Sequence, residues 1–401
     1  MFFICMRFTK KILKNGLVIL HEKRDVPVTT VVLTSKFGAA YESEKEKGIS
    51  HIIEHMCFKG TKKRRAEQIS SEIEKLGGVL NAFTHEEVTM FHAKLPSKNI
   101  GVAMDVLFDI YFNSVFLGME IEREKKVICE EIKMRRDNPR AYVCDRLKQN
   151  LFGKPFGMNI SGDEASVMNA TRDDLINKHR KFYCPANSIL CVVGNNDIRE
   201  ILEFVNEFDF PQNGKMEKLK EVKRLNLFSD EKRDGIEQAN VGIGFHFPIG
   251  TSKERYAAEI FNGILGEGMS SRLFLEVREK KGLVYSIKSE LDLGNRYGYL
   301  IIYAGTSKNK VKEVIDICIN EFKKMKIISS KDLDDAKNKL IGDRLINSEG
   351  CEESAINLIM EEILGGARNY YDFEKKFRAV SLKDIKNLAR NYKYSYAILS
   401  P

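Results

Sequence analysis

Long hydrophobic runs are missing from this 401-residue chain. No uninterrupted apolar stretch approaches the roughly 20 residues that a membrane-spanning helix needs, so no helical span is expected. The apolar start, Met1 to Met6, is short, and its charges follow it rather than precede it. A secretory signal has the reverse order and a longer apolar core, so none is expected. Paired cysteines are missing too. Cys5, Cys57, Cys129, Cys144, Cys184, Cys191, Cys318 and Cys351 are scattered without a Cys-x-x-Cys motif. In a chain this long they read as reduced, mostly buried thiols in a reducing compartment, the cytoplasm. Nor does one sign of charge dominate: 65 basic residues face 57 acidic ones, a formal net charge of +8, mixed along the whole chain. That pattern is a solvated surface. The cluster Lys62-Lys63-Arg64-Arg65 is accordingly expected to be an exposed helix or loop face rather than a nucleic-acid contact.

What is present is the composition of a soluble globular protein, 43% hydrophobic and 30% charged. The length exceeds one ordinary core, so two or more domains are expected. The chain also reads as two versions of one plan. The strand-like segment Thr29 to Gly38 is answered by Gln238 to Pro248, and Val88 to Leu95 by Tyr299 to Tyr303. Charged helices close on Gly77-Gly78 in one half and on Gly282 in the other. Thr171 and Ser381 each precede an acid by three residues, Asp174 and Asp384, which suits a helix N-terminus. Strands follow at Ser188 to Val193 and Ser395 to Leu399, at an offset of about 210 residues. The expectation is a tandem duplication: domains at 1–210 and 236–401 joined by a polar linker at 211–235. Each is read as an α+β sandwich, a mostly antiparallel sheet covered by helices.

One constellation carries chemistry. His51 and His55 lie four residues apart in His51-Ile52-Ile53-Glu54-His55, which stacks both imidazoles on one face of a helix within reach of one ion. Glu54 stands beside that face, close enough to take a proton from a water without being a ligand. Random placement of this chain's histidines and acids predicts roughly 0.02 such patterns. A third ligand has to come from elsewhere. In the helical segment Glu122 to Met134, Glu124 and Glu131 share a face two turns apart, while Glu130 points about 100° away from Glu131. Periodicity alone does not choose among them. Cys57 faces away from the histidines and reads as core. His21, His85, His92, His179 and His246 read as structural, and Gly266-x-Gly268 lacks the context of a dinucleotide site.

The surroundings of the motif resemble the pitrilysin group of inverzincin metallopeptidases, especially its short bacterial and mitochondrial-processing-peptidase-like members. The segments that carry the resemblance are Gly48 to Thr61, Leu80-Asn81-Ala82-Phe83-Thr84, Glu124 to Glu131, Leu265 to Phe274 and Val277 to Ser286. The resemblance implies a zinc-dependent endopeptidase with one Zn2+ per chain, held by His51, His55 and Glu131, with Glu54 as general base. The His55-to-Glu131 interval of 76 positions (131 − 55) fits the group's spacing and favours Glu131 over Glu130. Glu124 matches a second carboxylate near the metal. Asn81 and Ala82 match the strand edge that receives the peptide substrate. Arg278 and Tyr285 match a pair that contacts substrate beside the scissile bond, Tyr285 being suited to donate to the oxyanion. The second half has lost the motif, reading Tyr256-Ala257-Ala258-Glu259-Ile260, and Glu267 stands where a third loop glycine is common. Chains of this length in the group resemble half of a clamshell, which implies a homodimer with Arg278 and Tyr285 acting across the interface. Glu86, Glu87, Glu124 and Glu130 suggest tolerance for basic peptides. The competing reading is a non-catalytic assembly or chaperone-like subunit of the same fold.

Overall fold

The computed structural model describes residues 7–211, 217–390 and 392–401. Cys5, the apolar start and positions 212–216 of the expected linker lie outside the described residues. The chain forms two compact units, one of residues 1–132, 159–219 and 347–370, the other of 133–158, 220–346 and 371–401. The units are therefore not simply the two halves of the chain. Each takes in one helical segment from the opposite half.

The first unit is built on a six-stranded sheet of β1 (Arg7–Ile12), β2 (Val18–Lys23), β3 (Val28–Ser35), β4 (Val79–Thr84), β5 (Thr89–Pro96) and β6 (Ser188–Gly194), in the order β1-β2-β6-β3-β5-β4. All neighbours are antiparallel except β2 and β6. The second unit holds β7 (Phe228–Lys232), β8 (Ala239–His246), β9 (Val284–Leu293), β10 (Gly298–Thr306) and β11 (Tyr394–Ser400), in the order β7-β11-β8-β10-β9, with β7 and β11 as its parallel pair. Five consecutive positions thus match strand for strand and direction for direction, the topology of a duplicated α+β domain. The helix starts match as well. Thr171 and Asp174 exchange hydrogen bonds at 3.2 and 3.0 Å, and Ser381 and Asp384 do so at 3.3 and 2.8 Å, so both are reciprocal capping boxes. One strand has no apolar signature: β7 lies inside the stretch read as a linker. Its side chains are exposed or half-buried, and it is held by backbone pairing to β11 rather than by a buried face.

Among the helices of the first half are α1 (Ile49–Cys57), α2 (Ala66–Glu74), α3 (Ile100–Phe112), α4 (Gly118–Asp137) and α5 (Pro139–Leu151). The helix α3 is apolar nearly all round and is buried against β3 and β5. By contrast, α5 packs on β8 and β11 in the second unit, and the late helix Cys351–Ile363 packs on β3 and β6 in the first. All the described cysteines are free thiols, and no helix of the described residues is long and apolar enough to cross a membrane. Arg64 departs from the exposed face expected of its cluster. It is 5% exposed, with its guanidinium bonded to Asp109 and Glu72 at 3.0 Å and also to Asp105, so the neighbouring α3 neutralises it.

The start of α1 is anchored by a carboxylate distant from the motif. Buried Glu42 accepts hydrogen bonds from Gly48 N at 2.9 Å, Ser50 N at 2.7 Å and Ser50 Oγ at 2.6 Å. These satisfy donors that a helix N-terminus leaves open and complement its dipole. The fully buried Lys47 ammonium lies 3.6 Å from Glu42 and donates to Ala39 O. Gly48 has φ +96°, and a Cβ there would come within 2.5 Å of Ser161 O, so only glycine lets the chain turn into α1 here. Glu42→Ala strands three donors and a buried ammonium. It is expected to destabilise the protein by about 3 kcal/mol or more, read as a lower urea midpoint at unchanged slope.

Candidate metal centre

The helix α1 buries Ile49, Ile52, Ile53, Met56 and Cys57 in the core of the first unit. That burial fixes its rotation and turns His51 and His55 the other way, toward α4. Their rings lie 4.7 Å apart between centroids, at 69° to one another. On α4, burial of Ile121, Glu124, Lys125, Ile128 and Cys129 orients the helix so that Glu124 and Glu131 both reach α1. Glu131 Oε2 lies 3.8 Å from His51 Nε2 and 3.7 Å from His55 Nε2. Among the described residues these three are the one group of histidine, cysteine and acidic side chains whose donor atoms converge closely enough to share an ion. Glu130 is exposed, on a different face from Glu131.

The donor set can be tested against a cation. Two ligands with arms of zinc length at a tetrahedral angle stand about 3.4 Å apart, close to the observed separations. Two imidazoles and a carboxylate are also the donor chemistry zinc takes. Burial, assisted by the neighbouring His55, pushes the His51 imidazole pKa down to about 4, leaving that ring neutral at neutral pH with a lone pair to give. His55 Nδ1 donates to Glu124 Oε2 at 3.0 Å, which selects the tautomer whose lone pair is on Nε2, facing Glu131. His51 Nδ1 has no such support: it is buried with no hydrogen-bond partner among the described residues. The residues fit the group.

Glu124 is 5% exposed, and its second oxygen pairs with Lys59 Nζ at 2.8 Å. Burial raises its pKa, but the hydrogen bonds from Lys59 and His55 outweigh that and the net shift is downward. It therefore stays an anionic acceptor for His55. Glu54, between the two histidines in sequence, has its carboxyl pKa raised by burial and pulled part of the way back by a hydrogen bond from the Thr84 hydroxyl. Thr84 ends β4, the strand that carries Asn81 and Ala82 at the open edge of the sheet. The Ala82 N–H is covered by Asn81 Oδ1 at 2.8 Å. Arg278 and Tyr285 belong to the second unit. Arg278 lies on a π-helical segment, Phe274–Lys280, with its guanidinium 4.9 Å from the Phe274 ring centre. Tyr285 is on β9, the edge strand corresponding to β4, and is 78% exposed.

Several other sequence readings meet their geometry here. His21, His179 and His246 each place Nε2 on a backbone carbonyl, at 3.0, 2.7 and 2.7 Å, and Cys57 is buried. His92 pairs with Glu352 at 3.2 Å. The acids read as tolerance for basic peptides do not form such a surface: Glu86 and Glu87 are 2% and 3% exposed and Glu124 is engaged by Lys59 and His55. Burial withdraws those charges from any ligand, and only Glu130 of the four is exposed. Sequence reasoning gave no role to Lys59 or Thr84, although both lie in the quoted motif segments, nor to Glu42. Their partners are set by tertiary packing rather than by spacing.

Residues 17–164 match the model of Insulinase (Peptidase family M16), and residues 169–340 match that of the Peptidase M16 inactive domain. The chain is similar to YmxG, an uncharacterized zinc protease of Bacillus subtilis, at 31% identity over 97% of each chain. It is similar to an uncharacterized zinc protease of Rickettsia felis at 33% identity, over 93% of this chain and 90% of the relative. Its fold matches a crystal structure of a protease from Helicobacter pylori with TM-score 0.90 and 23% identity, covering 99% of this chain and all of that one. A structure described as a peptidase M16 inactive domain from Pseudomonas fluorescens also gives TM-score 0.90, at 18% identity and 98% coverage of each chain. The chain belongs to peptidase family M16, the insulinase- and pitrilysin-type family.

Proposed function

We propose that this chain is a zinc-dependent endopeptidase that cleaves peptides or unfolded precursor segments. The observation that carries the reading is the convergence of His51 Nε2, His55 Nε2 and Glu131 Oε2 beside the half-buried Glu54. His51, His55 and Glu131 hold the ion, and Glu124 orients His55 through Nδ1. Zinc bound there supplies Lewis-acid polarisation of the scissile carbonyl and acidifies a water. Glu54 takes a proton from the attacking water and returns it to the leaving amine nitrogen. The peptide adds as a strand to the open edge of β4, its backbone replacing the Asn81 side chain on the Ala82 N–H. A non-catalytic assembly subunit is the weaker reading, because His51, Glu54, His55 and Glu131 are all retained in the sequence.

The second half has no histidine in the stretch matching α1, so one zinc per chain follows. On this reading the exposed Arg278 and Tyr285 act on the zinc site of a second copy in a homodimer, contacting the substrate beside the scissile bond. Tyr285 donates to the developing oxyanion.

Four outcomes test the proposal. Turnover of a quenched peptide by the purified protein should stop with a chelator and return with zinc; Glu54→Gln should keep its zinc yet lose at least about 100-fold in kcat. Persistence of full turnover in Glu54→Gln rules out Glu54 as the base. Glu124→Gln should weaken zinc affinity by about 10- to 100-fold, measured by chelator competition, because His55 loses its charged acceptor. Mixing Arg278→Ala chains with Glu54→Gln chains should restore part of the turnover that each lacks alone. Absence of recovery, with mixed dimers verified by mass, counts against a site shared between subunits.

A further inference from the structure

The Thr84 hydroxyl has a place in the site that neither the metal ligands nor the strand edge accounts for. Thr84 is the last residue of β4 and pairs with Thr89 across the hairpin. Its Oγ1 donates to Glu54 Oε2. A hydroxyl has a single hydrogen to give, and the neighbouring hydroxyls settle where each goes. Thr89 Oγ1 spends its hydrogen on Phe37 O at 2.9 Å, so in its long 3.4 Å contact with Thr84 Oγ1 it could only accept, and the nearer Glu54 carboxylate, the stronger acceptor, takes the Thr84 hydrogen. The contact runs one way, from Thr84 to the carboxylate.

The backbone beneath Thr84 is held firmly. His85 N donates to Val88 O at 2.8 Å, closing the hairpin turn, and the turn is tied to the chain at residues 39–40 by Ala39 N to His85 O at 3.1 Å and Ala40 N to Glu86 O at 2.7 Å. Gly38 admits this approach, since a Cβ there would lie 2.2 Å from His85 O. A β-branched side chain on so fixed a backbone has few rotamers. Thr84 and Ala82 also share a face of β4, the face against which α1 packs.

We propose that Thr84 is the positioning residue for Glu54. Its hydroxyl pins one carboxylate oxygen, so the other is presented to the water in one orientation, and it ties that orientation to the end of the strand on which the peptide is seated. The inference rests on the peptidase reading of the site and adds to it a residue that is not a metal ligand and acts through Glu54. The role is orientational, so it separates from metal binding.

The test uses three forms of the full-length protein. Thr84→Val keeps the β-branched shape and removes the hydroxyl; Thr84→Ser keeps the hydroxyl. With zinc bound, Thr84→Val is expected to lose about 10- to 100-fold in kcat, the worth of a hydrogen bond to a charged group, with KM and chelator-competed zinc affinity within about twofold of the wild type. Thr84→Ser is expected to keep most of kcat, and a crystal structure of Thr84→Val to show Glu54 in more than one rotamer. An unchanged kcat in Thr84→Val, equal losses in both variants, or a fall in zinc affinity parallel to kcat overturns the assignment. If the wild type itself shows no chelator-sensitive turnover, the peptidase reading fails by itself. The Glu54 rotamers still decide the Thr84 contact, which is overturned if Glu54 is equally ordered with and without the hydroxyl.

Discussion

The approach of one Glu131 oxygen to two imidazole nitrogens on neighbouring turns of α1, at 3.7 and 3.8 Å, is the contact on which the rest of the site depends. Two histidines four apart in sequence are an ordinary helix feature. They become a potential cation site when a third donor is brought opposite both, and here that donor comes from another helix. The apolar sides of α1 and α4 do the aligning. Ile52, Ile53 and Met56 on one helix and Ile121 and Ile128 on the other are at most 2% exposed, which fixes both rotations before any ion enters.

Around that contact the polar groups are backed unequally. His55 has a relay behind it, Nδ1 to Glu124 and Glu124 to Lys59, so its tautomer and ring plane are set by a neutralised pair. His51 has no hydrogen-bonded partner behind its Nδ1 among the described residues, and burial, with the neighbouring His55, keeps it uncharged. The N-terminus of the helix that bears both is satisfied by Glu42, a carboxylate with its own buried counter-ion in Lys47. Glu124 and Glu42 thus each have a compensating cation, Lys59 and Lys47, as burial of charge requires.

Much of this was legible in the sequence, for physical reasons. The four-residue spacing of His51 and His55 is a helical period, and the capping pairs Thr171/Asp174 and Ser381/Asp384 are local chemistry, so short-range pattern was enough to find both. The repeat of the sheet was legible through its buried, β-rich strands. The strand β7 was not, because it is held by backbone pairing to β11 and needs no apolar alternation. The exchange of α5 and the helix Cys351–Ile363 between units was also hidden, since periodicity says that a helix has an apolar face but not which sheet will cover it. Periodicity alone could not choose Glu131 over Glu124, which lies seven residues away on the same face. Their different tasks arise from register: Glu131 meets both Nε2 atoms while Glu124 meets Nδ1 of His55. The burial of Arg64 escaped notice because its acidic partners Asp105 and Asp109 are some 40 positions further on.

The duplicated fold distributes its parts unequally. Both units keep the sheet and its capping boxes, while the histidines remain in the first and the exposed Arg278 and Tyr285 in the second. The measurement that bears most directly on the account is a crystal structure of the zinc-loaded protein with anomalous data collected at the zinc edge. The account predicts one peak per chain, bonded to Nε2 of His51, Nε2 of His55 and an oxygen of Glu131. A peak elsewhere, or an ion bound to the histidines with Glu131 turned away, contradicts it.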